Sequence, residues 1–119
     1  MNIGIVGCGN ISETYFECQK IFNNFKIVAC ADIINEAASN AASKYNVKAL
    51  SVDEILEINE IDLIINLTIP AAHKEIITKS LLNGKHCFSE KPLAMNFQEG
   101  LEIQKLANEK GLYLSLIHI

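Results

Sequence analysis

At 119 residues, 50% apolar and 20% charged, the chain has the composition of one compact soluble domain and excludes a disordered or fibrous segment. A formal net charge of -4, with ten Lys and Arg scattered along the sequence, provides no basic stripe for a nucleic-acid backbone. No apolar run approaches the roughly 20 residues of a bilayer span, because Asp62 and Asn66 interrupt the best stretch.

Met1 leads directly into Ile3-Gly4-Ile5-Val6, without the basic start and small-residue cleavage site of a secretory signal, so a cytosolic location is expected. Asn2 to Val6 reads as a first strand running into Gly7-Cys8-Gly9. Ile11, Tyr15, Cys18, Phe22 and Phe25 then recur at helical spacing. Lys26 to Ala31 is a second strand ending at Asp32. Asn35 is placed to cap a helix over Glu36 to Tyr45, and Val47 to Leu50 follows as a brief third strand. Ser51-Val52-Asp53-Glu54 fits a capping box, which predicts a short helix to about Ile58. Ile61 to Leu67 is apolar almost throughout, as in a parallel strand covered on both faces.

Pro70 opens the next helix and Gly84 closes it. Lys85 to Ser89 is a fifth strand. Asn96 and Glu99 start an amphipathic helix carrying Phe97, Leu101, Ile103, Leu106 and Ala107, which Gly111 ends. Leu112 to Ile119 is the sixth strand. Strict alternation of strand and helix predicts an α/β fold, a Rossmann-type doubly wound parallel sheet with right-handed crossovers.

The four cysteines, Cys8, Cys18, Cys30 and Cys87, lie far apart in sequence, with no Cys-x-x-Cys and no His pair, and are read as small buried hydrophobes; no metal is expected. Asn10-Ile11-Ser12 and Asn66-Leu67-Thr68 match the glycosylation pattern, which has meaning only in a secreted chain, and are taken as chance.

Gly7-Cys8-Gly9-Asn10-Ile11-Ser12 sits between a strand and a helix, where the dinucleotide fingerprint belongs. Gly7 allows the tight turn, and Gly9 lets the backbone approach a pyrophosphate. The helix amino end offers free N–H groups and partial positive charge. Gly7, Gly9, Asn10 and Ile11 are therefore candidate cofactor-binding residues. Ser12 departs from the usual Gly or Ala but remains small. Asp32 lies 32 - 12 = 20 residues after Ser12, the interval at which a carboxylate meets the adenosine ribose. That carboxylate repels a 2'-phosphate, and Ile33 and Ile34 supply no compensating Arg, so NAD is favoured over NADP.

Three segments, Gly7-Cys8-Gly9-Asn10-Ile11, Leu67-Thr68-Ile69-Pro70-Ala71-Ala72-His73 and Gly84-Lys85-His86-Cys87-Phe88-Ser89-Glu90-Lys91-Pro92-Leu93-Ala94, together resemble the glucose-fructose oxidoreductase, inositol dehydrogenase and MocA family. The resemblance runs from Ile3 to about Leu112. It implies that Thr68 and Pro70 line the cofactor channel and that Glu90 lies near the nicotinamide ribose. It also implies that Lys91 reaches the nicotinamide and the substrate hydroxyl as the catalytic residue. His73 also matches the family pattern, but a His in the first turn of a helix is commonly a packed or capping residue, so it stays outside the catalytic set. The implied activity is hydride transfer between nicotinamide and a hydroxyl of a sugar, polyol or sugar derivative.

Members of that family continue into an α+β domain that carries substrate-binding residues and builds a homo-oligomer interface. Residues 1 to 119 are accordingly expected to be the NAD(P)-binding domain alone. Leu114 to Ile119 matches the translation of a transposon end used in library preparation, which marks 114 to 119 as a candidate non-native tail. Two other readings of the Gly loop stay open: a non-catalytic nucleotide-sensing domain, and a methyltransferase, which leaves the Glu-Lys-Pro segment without a task.

Overall fold

The computed structural model describes residues 1–9, 12–18, 26–90 and 97–117. Its six strands are β1 (Asn2–Val6), β2 (Lys26–Ala31), β3 (Lys48–Ala49), β4 (Leu63–Asn66), β5 (His86–Glu90) and β6 (Leu114–Ile117). All pair in parallel, in the order β3-β2-β1-β4-β5-β6. The helices are α1 (Ser12–Cys18), α2 (Asn35–Tyr45), α3 (Val52–Glu57), α4 (Pro70–Leu82) and α5 (Phe97–Lys110). This is the doubly wound sheet expected from the strand–helix alternation.

Alternation along β1 sorts the core. Ile3 and Ile5 join Phe16, Ile27, Leu63 and Ile65 beneath α1 and α2, whereas Val6 joins Ala29, Ile55, Leu56, Ile61 and Ile64 beneath α3. Both faces of β1 and β4 are apolar because each meets a protein layer, which explains the near-continuous hydrophobic runs. On the α3 side, Ile77 and Leu81 of α4 and Ile103 and Ala107 of α5 pack around Cys87 of β5. Helices α1 and α2 are tied by stacking of Phe16 on Tyr45, with ring centroids 4.3 Å apart, and by Lys44 donating to Glu13.

On the α1 side of β4 and β5, among the described residues, Ile3, Tyr15, Leu63, Ile65, Phe88 and Leu114 border an apolar groove of about 810 Å³. No helix of the described residues is long and apolar enough to cross a membrane.

Several boundaries differ from expectation. Asn35 is the first residue of α2 and not its cap; the cap position falls to Ile34, whose extended backbone has no side-chain cap bond. The cause is Asp32, whose Oδ1 accepts the Ile34 amide at 2.9 Å and turns the chain into the helix one residue early. The Ser51 capping box is present with both bonds: Ser51 Oγ accepts the Glu54 amide at 3.1 Å, and Glu54 Oε1 accepts the Ser51 amide at 3.0 Å. The third strand shrinks to Lys48–Ala49, an edge strand paired only with β2. Lys85 precedes β5 instead of opening it. Its buried Nζ donates to the carbonyls of Ile58 and Ile61.

Candidate functional site

The chain order along the sheet reverses between β1 and β4. Connections lead outward through β2 and β3, then return across β1 to β4. Ligands of open α/β sheets bind at the carboxyl ends of the strands beside such a reversal. Three loops of this chain converge there, those following β1, β2 and β4.

The loop after β1 is fixed by contacts that only glycine permits. Gly7 has φ +105°, and a Cβ there would sit 2.7 Å from the carbonyl carbon and oxygen of Leu67. Its amide donates to Ala31 O at 2.8 Å, so this residue touches both neighbouring strand ends. Gly9 is the opposite case: it is exposed, and among the described residues beyond its chain neighbours no atom lies within 4 Å of the position a Cβ would take. Open space over that backbone is what a pyrophosphate needs. Ser12 is buried at the start of α1, and its hydroxyl donates to Gly9 O at 2.6 Å. A small residue was expected at this position, and the serine also pins the loop.

Asp32, at the end of β2, faces this loop. Its Oδ2 accepts the Cys8 amide at 2.7 Å while Oδ1 accepts that of Ile34. A carboxylate offers about four acceptor positions, so about two remain for a ligand. Ile33 and Ile34 beside it are exposed, 84% and 62%, and Ile69 in the loop after β4 is 67% exposed. Three bare isoleucines at the carboxyl edge give planar rings an apolar surface to cover.

The loop after β4 is held by buried polar side chains. Asn66 Oδ1 accepts both the Thr68 amide, at 3.2 Å, and the Thr68 hydroxyl, at 2.6 Å. Asn66 Nδ2 donates to His73 O at 3.3 Å. The ring Nε2 of His73 lies 2.7 Å from Thr68 O, and since a carbonyl only accepts, Nε2 carries the proton. Asn66 and His73 are both fully buried. His73 is thus the packed residue that its place in the first helical turn suggested. Sequence reasoning missed Asn66, whose one signal was a polar residue closing an apolar strand. Its buried and engaged amide accords with reading Asn66-Leu67-Thr68 as a chance glycosylation match.

The cysteines need a correction. Cys30 and Cys87 are buried, but Cys8 and Cys18 are only partly so. Residues far apart in sequence also meet: Cys8 and Cys30 lie beside each other because β1 and β2 are neighbours, with Cys8 Sγ donating to Ala31 O at 3.4 Å and Cys30 Sγ to Ala38 O at 3.5 Å. The neighbouring Cys30 thiol, burial and the nearby Asp32 carboxylate push the Cys8 thiol up. Burial pushes the Cys87 thiol up to about 12. Among the described residues, no group of three or more His, Cys, Asp and Glu side chains is arranged to hold a metal. Of the other candidates, Asn10, Ile11 and Lys91 lie outside the described residues. Pro70 stands in the first turn of α4 and Glu90 ends β5.

Comparison with known proteins follows the same line. A family model described as an oxidoreductase family with an NAD-binding Rossmann fold (GFO_IDH_MocA) matches residues 1–118. The chain belongs to this family. Among its relatives is the 2,7-anhydro-N-acetylneuraminate hydratase of Escherichia coli, 28% identical over 120 residues, covering 100% of this chain and 32% of that protein. Another is the inositol 2-dehydrogenase of Serratia proteamaculans, 28% identical over 102 residues, covering 82% of this chain and 30% of that protein. A solved structure, the biliverdin reductase of Synechocystis in complex with biliverdin and NADP+, superposes with a TM-score of 0.93 at 30% identity, covering 98% of this chain and 37% of that one. The chain therefore spans about a third of the length of these relatives. It is an NAD(P)-binding Rossmann domain of the GFO_IDH_MocA oxidoreductases.

Proposed function

We propose that the chain is the cofactor-binding part of a cytosolic NAD-dependent dehydrogenase acting on a hydroxyl of a sugar, polyol or sugar derivative. The observation that carries this reading is the convergence of three elements on one crevice: the open backbone at Gly9, the free acceptor positions of Asp32 and the clamped Thr68. These residues fit a dinucleotide. Gly7, Gly9, Asn10 and Ile11 would hold the pyrophosphate, Asp32 the adenosine ribose, and Thr68, Pro70 and Glu90 the nicotinamide half. NAD is preferred over NADP because a 2'-phosphate would face the Asp32 carboxylate.

When bound, the nicotinamide ring supplies the hydride acceptor or donor. Lys91, one residue beyond β5, is assigned to the substrate hydroxyl, where its ammonium stabilises developing alkoxide charge or its neutral amine receives the proton. A following α+β domain would supply the substrate wall, build the homo-oligomer contact and cover the groove beside Phe88. Titration of the purified chain with NADH, NADPH and S-adenosylmethionine tests the cofactor part. Binding of NADH ahead of NADPH, and no binding of S-adenosylmethionine, is expected; the reverse order would refute the NAD assignment. Robust alcohol oxidation by residues 1–119 alone, followed at 340 nm, would show that the substrate site has been misplaced.

A further inference from the structure

Asn66 poses a question that cofactor binding alone does not answer. Burying an amide in the middle of a sheet is costly unless its hydrogen bonds are met, and an apolar residue would close the run Leu63-Ile64-Ile65 at lower cost. Among the described residues, every side-chain hydrogen bond of Asn66 goes to one loop. Its Oδ1 takes the amide and the hydroxyl of Thr68, and its Nδ2 holds the carbonyl of His73 in the first turn of α4. His73 closes the circuit by donating from Nε2 to the Thr68 carbonyl. The amide, hydroxyl proton and carbonyl of Thr68 are thus engaged by two side chains that are themselves fully buried.

This arrangement determines the chemical sense of the one Thr68 group left over. An amide oxygen cannot donate, so at 2.6 Å the Thr68 hydroxyl gives its proton to Asn66 Oδ1. Its remaining lone pairs belong to a half-buried side chain at the carboxyl end of β4, beside Gly7. An unconstrained threonine hydroxyl can donate or accept; this one only accepts. Asp32 lies on the β2 side of the Gly loop and Thr68 on the β4 side, so the two mark opposite halves of a dinucleotide laid across the reversal.

We propose that Asn66, with His73, is a positioning residue that presents Thr68 Oγ1 as a fixed acceptor to a hydrogen-bond donor on the nicotinamide nucleoside half of the cofactor. The donor is a ribose hydroxyl or the carboxamide N–H. The inference rests on the dinucleotide reading above and adds the group that Thr68 recognises and the residues that hold it.

The test compares three ligands: NADH, ADP, which lacks the whole nicotinamide nucleoside, and reduced 3-acetylpyridine adenine dinucleotide, which lacks the carboxamide N–H. Loss of one hydrogen bond predicts that Thr68→Val weakens NADH about three- to tenfold in calorimetric or fluorescence titration, with ADP unchanged. Thr68→Ser, which keeps the hydroxyl, should bind NADH within about twofold of the wild type. Asn66→Ala should weaken NADH by a similar factor, and combined with Thr68→Val should add little, because Asn66 acts through Thr68. If the acetylpyridine analogue binds wild type and Thr68→Val equally, the donor is the carboxamide; if it loses as much as NADH, the donor is a ribose hydroxyl.

Equal losses for NADH and ADP in Thr68→Val, or no loss for either, would overturn the proposal. So would full additivity in the double variant, which also covers an Asn66→Ala chain weakened only through its fold. Wild-type chain that binds ADP but gains nothing from the nicotinamide half would refute the positioning role alone. Failure to bind either ligand would remove the dinucleotide reading and this inference with it.

Discussion

Replacement of Asp32 by alanine is the sharpest perturbation of the adenosine end. Its two oxygens already accept the Cys8 and Ile34 amides at 2.7 and 2.9 Å, and about two acceptor positions remain for a ribose diol. A hydrogen bond to a charged acceptor is worth about 1.5–3 kcal/mol, so the loss should weaken NADH by roughly 10- to 150-fold. The 2'-phosphate of NADPH, placed about 5 Å from the carboxylate at an effective dielectric near 20, is repelled by about 3 kcal/mol per unit charge. NADPH should therefore begin weaker and lose less, or even gain, so that the preference narrows or inverts. Releasing two backbone amides will also loosen the loops after β1 and β2. The ratio of NADH to NADPH affinity corrects for this, since both ligands report the same folded population. Fluorescence titration of both cofactors against wild type, Asp32→Ala and Asp32→Asn measures it. An unchanged ratio, with equal losses or with none, would refute the role given to this carboxylate.

The two loop glycines should separate folding from binding. Gly7→Ala meets Leu67 at 2.7 Å at φ +105° and should lose about 1–3 kcal/mol from backbone strain alone, seen as a lowered Tm. Gly9→Ala meets no atom of the described residues beyond its chain neighbours and should keep its Tm while NADH binding collapses; retained binding would show that no pyrophosphate passes over it. Ser51→Ala removes the cap of α3 and should cost about 1 kcal/mol in a denaturant melt. The Ser51 amide holds the Glu54 carboxyl below its ordinary 4.5, so the ionised form favours the fold. That contribution is present above pH 4.5 and fades as the pH falls through the lower folded-state value; Glu54→Gln should flatten this part of the acid limb, and an unchanged limb would contradict the linkage. In the full-length enzyme, Lys91→Ala should lower kcat by about 10² or more if the ammonium assists charge or proton movement, and near-normal turnover would remove it from the mechanism.

What the sequence disclosed was what repeats or is spaced by local rules. Alternating strands and helices, the Ser51–Glu54 box, the glycines that end α4 and α5, and the interval from Ser12 to Asp32 depend on neighbours along the chain. What stayed hidden depends on side-chain geometry, across the sheet or folded back within a loop. Cys8 and Cys30 meet only because β1 and β2 pair, and Asn35 loses the cap position to Ile34, whose amide the Asp32 carboxylate accepts. Asn66 looks like a polar break in an apolar run until its partners Thr68 and His73 fold back over it. Ser12, a departure from the fingerprint on paper, is accounted for by the Gly9 carbonyl beside it.

Lys85 has a consequence outside binding and catalysis. Its ammonium lies within the protein, 2% exposed, donating to the Ile58 and Ile61 carbonyls where α3 hands over to β4, and burial pulls its pKa below the ordinary lysine value. An amine-acylating reagent cannot reach it while the connection from α3 to β4 stays packed against the start of β5. The solvent-exposed Lys44, Lys48 and Lys79 should react within the first moments of labelling, whereas Lys85 should react only when that junction opens. The chain thus carries its own clock: the acylation rate of one lysine, read by mass spectrometry under native conditions, counts opening events at the seam between the two halves of the sheet.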